Sequence, residues 1–128
     1  MAAKAAVQQR SGGSAAVGDH RNEVVLVGRL TAAAQERELP SGDVLVSWRI
    51  VVDRPALPRV EGRRATTVDT LDCVTWRKPV SRGVVRWQVG DTIEVSGALR
   101  RRFWRSERGP ASRTEVEVFH ARRLQRAL

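Results

Sequence analysis

The chain has 128 residues and carries 23 Lys and Arg against 14 Asp and Glu, a formal charge of +9. One domain with a modest core fits that length and a second does not, while the excess of cations makes a polyanion the natural partner. No apolar run reaches the roughly 20 residues of a membrane span, and the Ala-rich start lacks the compact apolar stretch of a signal peptide, so a cytoplasmic location is expected.

Residues 1 to 20 are mostly Ala, Gly, Ser and Gln, without apolar periodicity. They cannot bury enough surface to offset the entropy of ordering, and a disordered leader is expected. From Asn22 the texture changes. Val24, Leu26 and Leu30 point one way and Val25, Val27 and Arg29 the other, the period of a strand. Gly28 interrupts it and predicts a bulge or sharp bend. Leu39-Pro40-Ser41-Gly42-Asp43 reads as a turn. The second strand, Val44 to Asp53, sets Trp48, Ile50 and Val52 against Ser47, Arg49 and Val51, with the aromatic face toward the core. Arg54 to about Thr67 holds Pro55, Pro58, Gly62 and four arginines and predicts a long, basic hairpin loop.

Val68 to Trp76 alternates again, with Leu71, Cys73 and Thr75 opposed to Thr70, Asp72, Val74 and Trp76. Cys73 is the only cysteine, so it forms no internal disulfide, and its place in the alternation predicts a buried strand residue. Pro79 to Val89 has room for one or two helical turns around Val84, Val85 and Trp87. A long strand from Thr92 to Trp104, broken at Gly97, and a last strand from Thr114 to Leu124 complete the chain. Five strands and one short helix with glycine corners predict an all-β, closed or nearly closed barrel over residues 21–128.

The chemistry concentrates near the end of the long strand. If residues 99 to 105 are extended, Arg100, Arg102 and Trp104 share one face and Arg101, Phe103 and Arg105 the other. Guanidinium groups can follow phosphates while an indole stacks on an unpaired base, worth about 1–3 kcal/mol per base. Trp76 followed by Arg77 and Lys78 repeats the combination in a distant segment. Trp48 and Trp87 sit among aliphatic residues at core spacing and are assigned to the core. Catalysis finds no support: His20 lies in the leader, His120 stands alone, and no nucleophile lies beside a base. One cysteine and two distant histidines supply no metal site, and no glycine-rich phosphate loop is present. No cofactor is expected.

Asn22-Glu23-Val24-Val25-Leu26-Val27-Gly28-Arg29-Leu30 resembles the opening strand of bacterial single-stranded DNA-binding proteins. Leu39-Pro40-Ser41-Gly42 resembles the turn before their second strand. The stretch Gly90-Asp91-Thr92-Ile93-Glu94-Val95-Ser96-Gly97-Ala98-Leu99 resembles their Lys-Gly-Asp-x-Val-x-Val-x-Gly-x-Leu segment, with Arg100 to Trp104 following in register. The resemblance implies a five-stranded oligonucleotide-binding barrel (OB-fold), assembled as a homotetramer or homodimer, that protects single-stranded DNA during replication, recombination or repair at the nucleoid. It implies that Trp104, Trp76, Arg100 and Arg102 contact the strand. Arg49 falls on the same face, and Arg29, Arg77 and Lys78 complete the candidate set.

The chain also departs from the family. Pro55 or Leu57 and Thr70 stand where tryptophans are often found, so the stacking platform is reduced. The sequence ends at Leu124-Gln125-Arg126-Ala127-Leu128, where the family continues into an acidic tip that recruits repair proteins, so such recruitment is not expected. Two other readings stay open. One is a tailless replication-restart or recombination accessory within a protein complex, and the other is a barrel used only as a protein interaction module. Stacking and phosphate contacts serve DNA and RNA alike.

Overall fold

A computed structural model describes residues 18–55 and 67–128. The leader up to residue 17 and the basic loop at 56–66 lie outside the described residues. The elements are β1 (Val24–Leu30), β2 (Gln35–Glu38), β3 (Val44–Asp53), β4 (Val68–Thr75), α1 (Lys78–Val84), β5 (Thr92–Ser106) and β6 (Gly109–Gln125).

Five of the strands close a ring. β1 pairs β5, β5 pairs β6, β6 pairs β4 and β4 pairs β3. β3 returns to β1 through Arg29↔Val51 and Leu30↔Ile50. Every pairing is antiparallel except the short β4–β6 contact at Cys73↔Val116 and Val74↔Glu117. The five strands read in the sequence are therefore the barrel. The sixth, β2, continues the same edge of β3 that β1 uses, from Gln35↔Ser47 to Glu38↔Val44. Its sequence, Gln-Glu-Arg-Glu, is exposed at every position. It has no apolar alternation to read, and is held by ladder hydrogen bonds around the expected Leu39–Asp43 turn, where Leu39 N–H donates to Asp43 O at 2.8 Å.

The inward residues are the ones the alternation selects. Leu30, Val46, Trp48, Ile50, Cys73, Ile93, Val95, Val116 and Val118 form the core, and Val24, Leu26, Leu71 and Trp87 pack against it. The helix is a plug: Val80 and Val84, one turn apart, are its buried residues, and proline occupies its first turn, where the missing N–H has no intrahelical partner to lose.

Glycine makes two of the barrel's corners. A Cβ on Gly28 would fall on the Val51 carbonyl oxygen, at the place where β1 leaves β5 and meets β3. A Cβ on Gly97 would fall on the Glu117 carbonyl oxygen, at the register shift between Ser96↔His120 and Gly97↔Val118. At Gly28 the ladder to β5 runs on without a register shift, so what requires glycine there is the close approach of the Val51 carbonyl and not a bulge.

The largest difference from the sequence reading is the β5–β6 hairpin. Its strands run on to Ser106 and back from Gly109, two residues beyond Trp104 and five before Thr114. The hairpin projects past the ring, so residues 110–113 face no core and carry no apolar period. The turn closes through Gly109 at φ +110° and the Ser106 hydroxyl, which donates to Gly109 O at 2.8 Å.

Cys73 is buried as expected. Burial above all, helped by the Asp72 and Glu115 charges, pushes its thiol up to about 12. Since the thiolate is the nucleophile, native protein at pH 8 should resist iodoacetamide, and denatured protein should be alkylated stoichiometrically. Alkylation of the native protein at the denatured rate would contradict this placement. The native state also keeps a proton that the unfolded chain loses above about pH 8.5, so stability should decline as pH rises beyond that value.

Candidate nucleic-acid interface

Register turns the outward side chains of four strands into one face. Across the hairpin, Arg100 lies opposite Glu115, Arg102 opposite Arg113 and Trp104 opposite Ala111. β4 lies beside β6, and Arg49 of β3 lies opposite Asp72 of β4. Arg49, Arg100, Arg102 and Trp104 thus face the same way.

What the sequence did not disclose is how the cations are held. Arg49 Nε meets Asp72 Oδ1 at 2.9 Å, Arg100 Nε meets Glu117 Oε1 at 3.1 Å and Arg102 meets Glu115 at 3.2 Å. A residue absent from the candidate set, Arg113, reaches the other Asp72 oxygen at 3.0 Å. Starting the last strand at Thr114 hid it. A hairpin turning at Glu107-Arg108 would have set Arg113 across from Arg102.

Two of these carboxylates differ in character. The Glu115 side chain is 5% exposed, so losing Arg102 would leave a buried charge unpaired. The Asp72 side chain is 27% exposed. Its burial works to raise its pKa, but hydrogen bonds and charge from Arg49 and Arg113 prevail and hold it below the ordinary carboxylate range. Arg29 is likewise paired, with Asp53 at 3.1 Å, and its hydrogen bond holds that carboxyl low. Asp72, Arg49, Arg113 and Glu115 line a groove of about 610 Å³ that also touches Gln35 and Arg37 of β2.

Trp104 and Trp76 are 48% and 40% exposed, enough to present an indole edge or face. They do not form one cluster. Val74↔Glu117 places Trp76 level with Phe119, whereas Trp104 is level with Ala111. Eight residues of strand separate them, about 25 Å. At the Trp76 end, the Arg77 guanidinium stacks over the Phe119 ring at 4.8 Å. The Arg77 N–H is held by the Thr75 hydroxyl at 3.1 Å, which itself donates to Val118 O at 2.9 Å. Lys78 opens α1, exposed and with no ion-pair partner among the described residues.

The reverse face of the hairpin carries Phe103, 74% exposed, with the Arg101 guanidinium 5.5 Å from its ring centroid. Among the described residues no group of His, Cys, Asp and Glu is placed to hold a metal ion. No helix there is long and apolar enough to cross a membrane. The chemistry on offer is a strip of guanidinium groups between two exposed indoles, suited to phosphates and unpaired bases.

Comparison with known proteins agrees with this architecture. The Single-strand binding protein family matches residues 21–126. A single-stranded DNA-binding protein of Oceanobacillus iheyensis is 33% identical over 88 residues, 69% of this chain and 53% of the relative. Single-stranded DNA-binding protein A of Bacillus subtilis is 32% identical over 88 residues, 69% of this chain and 49% of the relative. The chain spans about half the length of these relatives. Among solved structures, a Plasmodium falciparum SSB in complex with ssDNA has a TM-score of 0.71 at 18% identity, covering 84% of this chain and 97% of that one. The mitochondrial single-stranded DNA-binding protein Rim1 of S. cerevisiae has a TM-score of 0.63 at 10% identity, covering 85% and 100%. The shared fold is the oligonucleotide-binding barrel.

Proposed function

The chain belongs to the single-strand binding protein family, and from that premise we propose that it binds single-stranded DNA along the outward face of β3, β4, β6 and β5, protecting exposed strands during replication, recombination or repair. The observation that carries this reading is the strip from Trp76 to Trp104, with Arg49, Arg113, Arg102 and Arg100 between two half-exposed indoles. Guanidinium groups take the phosphates and the indoles take bases. Arg77 and Lys78 extend the cationic track at the Trp76 end, and Arg29 borders it beside Val51. Residues 21–128 form the binding unit and the leader is dispensable to it. The site of action is the nucleoid.

The binding unit works as a homodimer or homotetramer. β1 uses its second edge only at Arg29 and Leu30, so Val24 to Gly28 offer backbone groups for another strand, and Val27 is exposed beside them.

Fluorescent oligothymidine and a duplex of equal length, titrated at two salt concentrations, test the function. Single strands should bind at least about tenfold more tightly, because stacking of about 1–3 kcal/mol per base is open only to unpaired bases. Equal affinity for both would refute the stacking argument.

A further inference from the structure

We propose that Asp72 is a built-in competitor of the DNA backbone: in the free protein it occupies the place between Arg49 and Arg113 that a phosphate of the bound strand takes. The inference rests on the DNA-binding reading above and adds to it a residue that sets the affinity. Its basis is the bridging geometry. One Asp72 oxygen accepts from Arg49 Nε at 2.9 Å, and the other receives the Arg113 guanidinium at 3.0 Å. Two guanidinium forks from β3 and β6 therefore converge on a single anion with two oxygens, the arrangement that also recognises a phosphate.

Exposure decides that this anion can be exchanged. The Arg49 and Arg113 side chains are 55% and 51% exposed, and Asp72 lies at the side of an open groove. Exposed pairs of that kind contribute little over solvation, so an incoming phosphate displaces the carboxylate at small cost. Glu115 is the contrasting case. It is almost fully buried, and its pairing with Arg102 fixes that arginine in place whether or not DNA is bound. Asp72 also offsets the repulsion between Arg49 and Arg113, which keeps both forks aimed at one point before the strand arrives.

Asp72→Asn keeps the size and removes the charge. Its titration with oligothymidine at about 0.1 M salt should show about 2- to 10-fold tighter binding than wild type, the range set by two exposed pairs. The salt dependence should also steepen, by up to about 0.7 in the slope of log affinity against log salt. Asp19→Asn, which makes the same charge change at the exposed start of the described chain, should gain less than half as much. Failure of wild type to bind oligothymidine would overturn the function itself. Binding by wild type with Asp72→Asn equal or weaker, or improved no more than Asp19→Asn, would leave the function standing and overturn the competitor role. That result would make Asp72 a structural clamp. A measurement on wild type guards against an unfolded variant: the side-chain Nε signals of Arg49 and Arg113 and the Asp72 carboxyl carbon should all shift as oligothymidine is added. A stationary carboxyl signal at saturation would refute displacement.

Discussion

Gly97→Ala is expected to remove about 3 kcal/mol or more of folding stability, in the upper range for single substitutions. The added methyl would fall on the Glu117 carbonyl oxygen and lie 3.0 Å from the Val118 Cα. Both obstacles are backbone, so neither can rotate away. Relief requires the β5–β6 register to open at its bulge, between Ser96↔His120 and Gly97↔Val118, which would also draw Val118 and Val95 out of the core. A domain holding about 5–15 kcal/mol in total cannot absorb much of that. Gly42→Ala is the informative comparison. It has φ +89° but open space around the missing Cβ, so its cost should be that of left-handed backbone alone, about 1–2 kcal/mol. Urea unfolding of both variants measures the difference. Equal losses would show that the bulge relaxes freely and that the corner does not depend on glycine.

The parts of this fold that were legible in the sequence are those that face the core. Trp48, Ile50, Cys73, Val95 and Val118 recur at the strand period because one side of each strand must leave water, and that requirement writes itself into the order of residues. The same logic separated Trp48 from Trp104 correctly. Where no core is faced, no period is written. β2 and residues 110–113 were missed for that reason, since their places are fixed by backbone ladders to β3 and β5.

The electrostatics of the candidate face were hidden for a different reason. A count of charges gives +9 but not where cations are neutralised. Asp72, Glu115 and Glu117 come next to Arg49, Arg102 and Arg100 only through the register of β3, β4, β5 and β6. Three strongly basic positions are therefore each matched by a carboxylate, and in the proposed site discrimination should rest more on the indoles at its ends than a count of charges implies.

That balance makes Trp104 the residue whose loss should weaken DNA binding most among single truncations on the face. Trp104→Ala is expected to lower affinity for oligothymidine by about 1–3 kcal/mol, a loss of about 5- to 150-fold. The salt dependence should stay nearly constant, because an indole neutralises no phosphate. Stability should change little: Trp104 is half-exposed on the projecting part of the hairpin, opposite Ala111, and belongs to no part of the core. Arg100→Ala provides the opposite signature. Its partner Glu117 is partly exposed and can be left to water, so the protein stays folded and the slope of log affinity against log salt loses about 0.7 per single-strand phosphate contact. Arg102→Ala separates the two effects less cleanly, since it strands the buried Glu115 carboxylate and should lower the unfolding midpoint as well. Intrinsic fluorescence supplies a check within the same titration. Trp48 is buried, whereas Trp104 and Trp76 are 48% and 40% exposed, so these two should dominate the quenching of wild type and the signal should fall in Trp104→Ala. Undiminished quenching with unchanged affinity would take Trp104 out of the site and leave the stacking to Trp76, the other exposed indole of the face.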